Sequence, residues 1–187
     1  MTLAFEVRPA RPQEAEAIHA VMAPEVAAGT VLPRVVRTED FWVASRPNGE
    51  IIGVVALSPW SDRVVELGSL VSARPGAGVG QALVDAVLEA AARQGYDEVV
   101  ALTSIDQWFE RMGFSRHRRA PWQAAQADTA PLALVDHRQA APETRDAVLH
   151  EAVDNKSRMS CRGCPRLSAC RQHLMVRSVS WAQRCVA

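Results

Sequence analysis

The most constraining feature of this chain is a glycine-rich segment, residues 74–80, which reads Arg-Pro-Gly-Ala-Gly-Val-Gly. An apolar run that ends at Leu70 and Val71 precedes it, and an amphipathic run follows it. Glycine permits tight turns and a close approach of a ligand to the backbone. The start of the following helix presents unpaired N–H groups and a positive dipole end, which favour phosphate. The segment therefore predicts a strand, a phosphate-binding turn and a helix in succession.

The residues on either side of this segment alternate between strand and helix patterns. Strands are predicted over residues 5–8, 41–44, 51–57, 64–71 and 99–104. Helices are predicted over residues 13–22 and 79–94; Pro24 is expected to interrupt the first, and Gly29 to close a second short piece. Asn48-Gly49 predicts a hairpin turn. This order predicts a mixed sheet with helices on both faces.

The composition of the chain excludes some classes of function. The chain has 187 residues, a formal net charge of zero and 48% hydrophobic residues, which allows one domain plus an appendage. A balanced charge argues against general binding to nucleic acid or to a membrane surface. No apolar run approaches the roughly 20 residues that a membrane span needs. The first nine residues lack the basic and apolar regions of a signal peptide, so a cytoplasmic location is expected.

The predicted strand over residues 99–104 is followed by residues 106–114, Asp-Gln-Trp-Phe-Glu-Arg-Met-Gly-Phe. Together with the glycine-rich segment, this order resembles the GNAT acyl-CoA N-acetyltransferases over residues 5–115. The resemblance implies a twisted, mostly antiparallel α/β (α+β) sheet and acetyl-CoA as the co-substrate. Pro75 stands where the family usually has arginine or glutamine, and Arg74 is the candidate to supply that charge. The resemblance assigns the following residues to the cofactor: Leu70, Val71, Arg74, Gly76, Ala77, Gly78, Val79, Gly80 and Phe109.

Further segments resemble the N-acetylglutamate synthase type, in its short, stand-alone form. They are residues 29–34 (Gly-Thr-Val-Leu-Pro-Arg), residues 66–71, residues 107–109 and, faintly, residues 155–158. This likeness implies that a small-molecule amine is the partner, with the amino acid glutamate as the first choice. A second copy of the chain is also a candidate partner.

The chemistry of acetyl transfer selects candidate residues independently, because an ammonium group cannot attack a thioester. Glu66, within an apolar strand, could take the proton directly or through water, although a strand-end salt bridge is an equal alternative. A backbone N–H near Leu70 or Val71 would polarise the carbonyl. Arg34 is the best candidate for a substrate carboxylate, unless it is a solvated surface arginine. Lys156 and Arg158 are weaker candidates.

The leaving group of this reaction is the thiolate of coenzyme A. The one tyrosine, Tyr96, follows the helix stop at Gly95, where a side chain facing the pocket is not expected. The thiolate would leave unaided, or with a proton from Ser104 or from water. A thiol with a pKa near that of cysteine, about 8.5, needs little help at neutral pH.

All four cysteines lie after residue 160, with the spacing C-x2-C-x5-C and then C-x14-C. Clustered cytosolic cysteines more often bind metal than form disulfides, although disulfides and free thiols stay open as alternatives. The predicted ligands are Cys161, Cys164, Cys170 and Cys185, with His173 as a replacement for the last. A 4Fe–4S cluster is favoured over zinc, because structural zinc usually has two C-x2-C knuckles and this chain has one.

The expected division is an acetyltransferase domain over residues 1–140 and a helical, Cys-rich metal-binding tail over residues 141–187. Around that boundary, residues 123–130 are expected to form a loop, residues 132–135 an edge strand and residues 142–153 a short helix.

A different class of function is also open. The chain could be a sensor in which a weakened acyl-CoA fold serves regulation and the tail supplies a redox or metal signal. An acetyltransferase for another amine, or for a protein, is a further alternative.

Overall fold

A computed structural model of the chain describes residues 4–127 and 144–179, and their strands form one seven-stranded sheet. The strands are β1 Glu6–Pro9, β2 Phe41–Ser45, β3 Ile51–Pro59, β4 Val64–Ser72, β5 Glu98–Thr103, β6 Ser115–Arg116 and β7 His173–Ser178. Their order across the sheet is β1-β2-β3-β4-β5-β7-β6. Neighbours are antiparallel except β4 and β5, which run parallel. The predicted mixed, mostly antiparallel sheet is confirmed.

Five α-helices accompany the sheet in the described residues: α1 Ala15–Ala28, α2 Val79–Arg93, α3 Asp106–Arg111, α4 Pro121–Ala127 and α5 Arg145–Lys156. Successive side chains of β3 point to opposite faces of the sheet. Val54 and Ala56 are buried in the cluster that contains the core residues of α1. Val55 and Leu57 are buried in the cluster that contains those of α2. Helices therefore cover both faces, as the sequence predicted.

The first helix differs from the prediction, because Pro24 does not interrupt it. Proline removes one backbone donor and crowds the preceding turn. The helix nevertheless continues to Ala28, and Gly29 ends it in the left-handed conformation with φ 77°. Ile18 and Met22 are fully buried against the sheet, so tertiary packing holds the helix through the proline.

The segment after β6 also differs. Residues 123–127 of the expected loop over residues 123–130 belong instead to α4, which has proline at its first position and buries Ala124 and Ala125. Residues 128–130 lie outside the described residues. The expected short helix forms as α5, where the side chain of Thr144 accepts a hydrogen bond from the backbone N–H of Ala147. The expected edge strand at residues 132–135 lies outside the described residues.

The cysteine-containing segment returns to the sheet. After it, β7 pairs with β5 over six residues and with β6 on its other side. Residues 117–172 therefore form the connection between two neighbouring antiparallel strands, and the predicted boundary at residue 140 falls inside that connection. The division into two domains stays a prediction.

A buried carboxylate ties this connection to the sheet. Glu98, at the start of β5, is buried and accepts hydrogen bonds from the Ser178 hydroxyl at 2.9 and 3.0 Å. Arg145, in the first turn of α5, places Nε 2.6 Å from Glu98 Oε1. A buried carboxylate needs such partners because burial removes its water. The interaction anchors the start of α5 at the start of β5 and the end of β7.

Candidate active site

The two parallel strands separate in the middle of the sheet. They pair at three positions, from Val64 opposite Glu98 to Glu66 opposite Val100. Beyond Glu66, β4 continues to Ser72 beside β3, while β5 continues to Thr103 beside β7. Among the described residues, the β5-facing edge of β4 therefore has no strand partner from residue 67 onward. We call the opening between β4 from residue 67 onward and β5 after Val100 the wedge. It can admit an extended ligand and offer it backbone hydrogen bonds.

A bulge lies in β4 beside this wedge. The pairing of β3 with β4 shifts register between Val54 and Ala56, and Ser69 has φ 50°, in the left-handed region. A bulge leaves one extra residue unpaired and redirects the backbone around it. Leu70 and Val71, which the sequence assigned to the acetyl group, follow the bulge directly. The backbone here can present an N–H group to a carbonyl oxygen in the wedge.

The glycine-rich segment connects β4 to α2, as predicted. Gly76 and Gly78 have φ 79° and 77°, so any other residue would be strained there, and the space around both is open. Gly78 is the N-cap of α2, and the first turn of α2 contains no acidic residue. The first N–H groups of a helix have no partner within it, and the helix dipole favours an anion beside them. The segment can therefore hold phosphate groups.

Two other residues assigned to the cofactor have partners inside the protein. Arg74 is exposed, and its Nη2 lies 3.7 Å from Glu50 Oε1 on the neighbouring hairpin. Phe109 is 3% exposed and packs edge-on against Trp108 and Phe114, with ring centroids 5.1 and 5.2 Å away. Phe109 therefore supports α3 from within the core beneath the wedge.

Glu66 is the centre of a charged cluster on the face of the sheet that α1 and α5 cover. Its Oε2 accepts hydrogen bonds from Trp60 Nε1 at 2.8 Å and from Lys156 Nζ at 2.7 Å. Lys156 is the last residue of α5, and its ammonium lies 5.3 Å from the Trp60 ring centroid. The structure thus joins the predicted base and a predicted substrate residue in one ion pair, most of which is shielded from solvent.

Arg34 approaches the same place from the segment between α1 and β2. Its Nη2 donates to Ser58 Oγ at 3.1 Å, and Ser58 is the direct cross-strand partner of Glu66. Arg34 also lies over the Phe41 ring, 5.4 Å from its centroid. Asp40 is 4.0 Å from Arg34 but only 2.7 Å from Arg37, so its carboxylate is engaged mainly by Arg37. Lys156 therefore contacts the Glu66 carboxylate directly, and Arg34 contacts the cross-strand neighbour of Glu66, Ser58.

The remaining predicted residues lie elsewhere. Arg158 donates to Asn155 Oδ1 at 3.0 Å, within its own segment. Ser104 is exposed after the end of β5, four residues beyond the partner of Glu66, which is about 13 Å of strand. Tyr96 follows the C-terminal end of α2, opposite to the end that carries the glycine-rich segment, and burial raises its pKa. It is not placed to protonate a thiolate in the wedge.

The three described cysteines follow α5 on successive turns. The N–H of Cys164 donates to the carbonyl of Cys161 at 3.0 Å, and the N–H of Cys170 donates to that of Leu167 at 3.2 Å. All three are free thiols, and burial raises the pKa of Cys161 to about 11. Within residues 4–127 and 144–179, no three His, Cys, Asp or Glu side chains are arranged to hold a metal ion. Cys185 lies outside the described residues.

His173, the other predicted ligand, begins β7 and is 3.7 Å from Asp106 Oδ2. The cysteine loop itself, residues 161–170, is attached to two helices. Arg166 Nη1 donates to the carbonyl of Gly29 at 2.6 Å, at the end of α1. Gln126 Nε2, on α4, donates to the carbonyl of Leu167 at 2.8 Å. The loop therefore packs beside the segment that carries Arg34.

Sequence reasoning missed Trp60 and Ser58. Trp60 follows Pro59 in a stretch that the sequence marks only as a break between strands. Nothing in its neighbours along the chain shows that the indole meets a carboxylate six residues later. Ser58 could have been found from the hairpin register, which sets it opposite Glu66.

Comparison with known proteins agrees with this geometry. Residues 37–116 match the sequence model of the acetyltransferase (GNAT) domain. The matched residues, less than half of the chain, are similar to a GNAT acetyltransferase domain. An amino-acid acetyltransferase of Mycobacterium tuberculosis is 33% identical over 87 residues, which cover 44% of this chain and 50% of that protein. This chain thus aligns with about half of the length of that curated relative.

Solved structures show the same GNAT-like fold. N-acetylglutamate synthase from Neisseria gonorrhoeae, complexed with coenzyme A and N-acetyl-glutamate, has a TM-score of 0.63 and 19% identity, covering 94% of this chain and 35% of that one. Rv2747 from Mycobacterium tuberculosis, in complex with CoA, has a TM-score of 0.64 and 21% identity, covering 92% of this chain and 98% of that one. No helix among the described residues has the length and apolar character to cross a membrane.

Proposed function

We propose that this chain is a GNAT acetyltransferase that transfers an acetyl group from acetyl-CoA to the α-amine of a small amino acid, with glutamate as the first choice. The observation that carries this proposal is the position of Glu66 beside the wedge of β4 and β5, in contact with Lys156 and with Arg34 bonded to its cross-strand neighbour Ser58. A carboxylate suits an incoming ammonium, and flanking cations suit a substrate that also bears carboxylates. The amino-acid acetyltransferase relative supports the same class of substrate.

The reaction follows from these positions. The substrate ammonium gives a proton to Glu66, directly or through one water, and the neutral nitrogen attacks the thioester carbonyl. A backbone N–H after the Ser69 bulge, at Leu70 or Val71, stabilises the negative oxygen that forms. The C–S bond then breaks and its electron pair leaves on the coenzyme A sulfur. The new amide nitrogen gives its remaining extra proton to a water molecule, and the departing thiolate takes a proton from water. The N–H groups of residues 76–80 hold the pyrophosphate throughout.

Arg34→Ala is expected to raise the KM for glutamate, because a charged hydrogen bond to a substrate carboxylate is lost. Such a bond contributes about 1.5–3 kcal/mol, so the KM should rise roughly 10-fold to 150-fold. Steady-state release of the coenzyme A thiol, measured over a panel of amino acids, tests this.

Arg46→Ala is the matched control, since Arg46 pairs with Glu50 in a solvent-exposed turn. It should leave the KM for glutamate unchanged. A wild-type preference for lysine, polyamines or peptides would contradict the choice of glutamate and leave the fold untouched. Binding of acetyl-CoA without acetylation of any amine would instead support a sensor.

We also propose that Cys161, Cys164, Cys170 and Cys185 bind a metal, as a 4Fe–4S cluster or as zinc. The support is the C-x2-C-x5-C spacing and the position of three free thiols on successive turns of one loop. Binding of the metal would have to bring the sulfurs of Cys161, Cys164 and Cys170 closer together. Ligation would then add to the free energy that holds the loop against α1 and α4.

Cys164→Ser is expected to lower the bound iron or zinc to below half of the wild-type stoichiometry and to leave acetyl-CoA binding intact. Elemental analysis and a visible spectrum of anaerobically purified protein measure the first, and calorimetry measures the second. Ser168→Ala, an exposed substitution in the same loop, is the control. Protein without iron or zinc, and with disulfides mapped by mass spectrometry, would show that the cysteines form a covalent link.

A further inference from the structure

An open strip crosses the face of β4 between the parts covered by α1 and by α5. Side chains at alternate positions of a strand share a face, and this face carries Val64, Glu66 and Gly68 before the bulge. Val64 is buried in the cluster of α4 and α5, and Val71, beyond the bulge, is buried in the cluster of α1. Glu66 and Gly68 between them are only partly buried.

Gly68 keeps this strip open. A methyl group at Gly68 would have Glu66 as its nearest neighbour, with Oε1 at 3.7 Å and Cδ at 3.8 Å, which are ordinary contact distances. Its φ lies outside the left-handed region, so the backbone does not require glycine. Glycine in a strand interior weakens the strand and often marks a place where a ligand approaches closely. Glycine at position 68 therefore leaves space above β4, and no backbone turn requires it there.

The two carboxylate oxygens of Glu66 differ in their hydrogen bonds. Oε2 accepts both hydrogen bonds, from Trp60 and from Lys156. Oε1 accepts none from the described part of the chain and faces the space over Gly68. That space lies between Oε1 and the Ser69 bulge, where the thioester carbonyl is proposed to bind. Trp60 and Lys156 thus hold the carboxylate so that its other oxygen points toward the reaction.

We propose that the acceptor amine binds over Gly68, with its nitrogen against Glu66 Oε1, and that Gly68 sets the substrate class by leaving room for a branched carbon beside that nitrogen. This inference rests on the proposed acetyltransferase function and narrows it. An α-amino acid carries its amine on a carbon with two further substituents. An unbranched amine, such as glycine or β-alanine, needs less space next to the nitrogen.

Gly68→Ala tests the proposal. The added methyl occupies the space over β4, and a misplacement of about 1 Å costs on the order of a hundredfold in rate. We expect kcat/KM for the preferred branched α-amino acid to fall roughly tenfold to a hundredfold. The loss for glycine and β-alanine should be smaller, so their ratio to that substrate should rise. The Kd for acetyl-CoA and the melting temperature should stay at wild-type values or, for the latter, increase.

Ser115→Thr is the matched control. It adds one methyl to an exposed position on β6, far from β4 in the sheet, and should leave every parameter unchanged. Wild-type kcat/KM for all amines in Gly68→Ala overturns the role of Gly68 and leaves the acetyltransferase proposal standing. An equal loss for branched and unbranched amines overturns the specificity. A wild-type protein that binds acetyl-CoA and acetylates no amine in the panel overturns both proposals.

Discussion

Replacing Gly78 with glutamate is expected to abolish binding of acetyl-CoA. Gly78 is the N-cap of α2 with φ 77°, and its surroundings are open, so the new side chain would stand where the pyrophosphate is proposed to bind. The juxtaposition of like charges costs several kcal/mol. Since each 1.4 kcal/mol is a factor of ten in affinity, the Kd should rise more than about 100-fold. Isothermal titration calorimetry with acetyl-CoA measures this change.

Gly95→Glu is the matched control for that variant. Gly95 also has a left-handed φ, 87°, and open surroundings, but it follows the opposite end of α2, about 22 Å from Gly78 along the helix. Both variants therefore carry similar backbone strain and the same new charge, and only Gly78→Glu should lose acetyl-CoA. Unchanged affinity in Gly78→Glu would remove the basis for placing the cofactor on this segment.

Glu66→Gln is expected to lower kcat by about 10²-fold to 10⁴-fold, the usual contribution of a general base. The amide keeps the size of the carboxylate and can still accept a hydrogen bond from Trp60 Nε1. The Kd for acetyl-CoA should therefore stay unchanged. The residual rate should increase with pH up to the pKa of the substrate amine, because hydroxide then supplies the neutral nucleophile. A pH profile of thiol release for both proteins measures these effects.

Glu89→Gln, which removes an exposed carboxylate paired with Arg93 on α2, is the control and should keep the wild-type profile. Lys156 loses its ion-pair partner in Glu66→Gln, so the melting temperature must be compared before rates are interpreted. A variant with wild-type kcat at neutral pH would show that Glu66 acts as a structural partner of Lys156 and Trp60 and not as the base.

Local signals in the sequence were sufficient for the strand–turn–helix unit. The glycines at residues 76 and 78 are needed for a left-handed backbone, and the amphipathic pattern of α2 is independent of the rest of the chain. The failures occurred where packing opposed a local signal. Pro24 is a helix breaker by propensity, yet the burial of Ile18 and Met22 carries α1 past it.

The strand β7 shows the second kind of failure. Its apolar core of Leu174, Met175 and Val176 is three residues long and follows a cysteine-rich loop, so the sequence assigned it to a separate tail. Only the pairing partners β5 and β6 identify it as an inner strand of the sheet. The residues of a short strand do not show which distant strands it pairs with.

The sequence by itself determined the fold class, the glycine-rich turn between β4 and α2 and the residue types that the proposed acetyl transfer would need, since backbone conformation and side-chain chemistry are properties of short segments. Only the tertiary structure brought Arg34, Glu66 and Lys156 to one face of the sheet and turned Oε1 of Glu66 toward Gly68. These positions depend on the register of β3 with β4 and on where α5 ends. Both are decided by contacts between residues far apart in the chain, which no local pattern specifies.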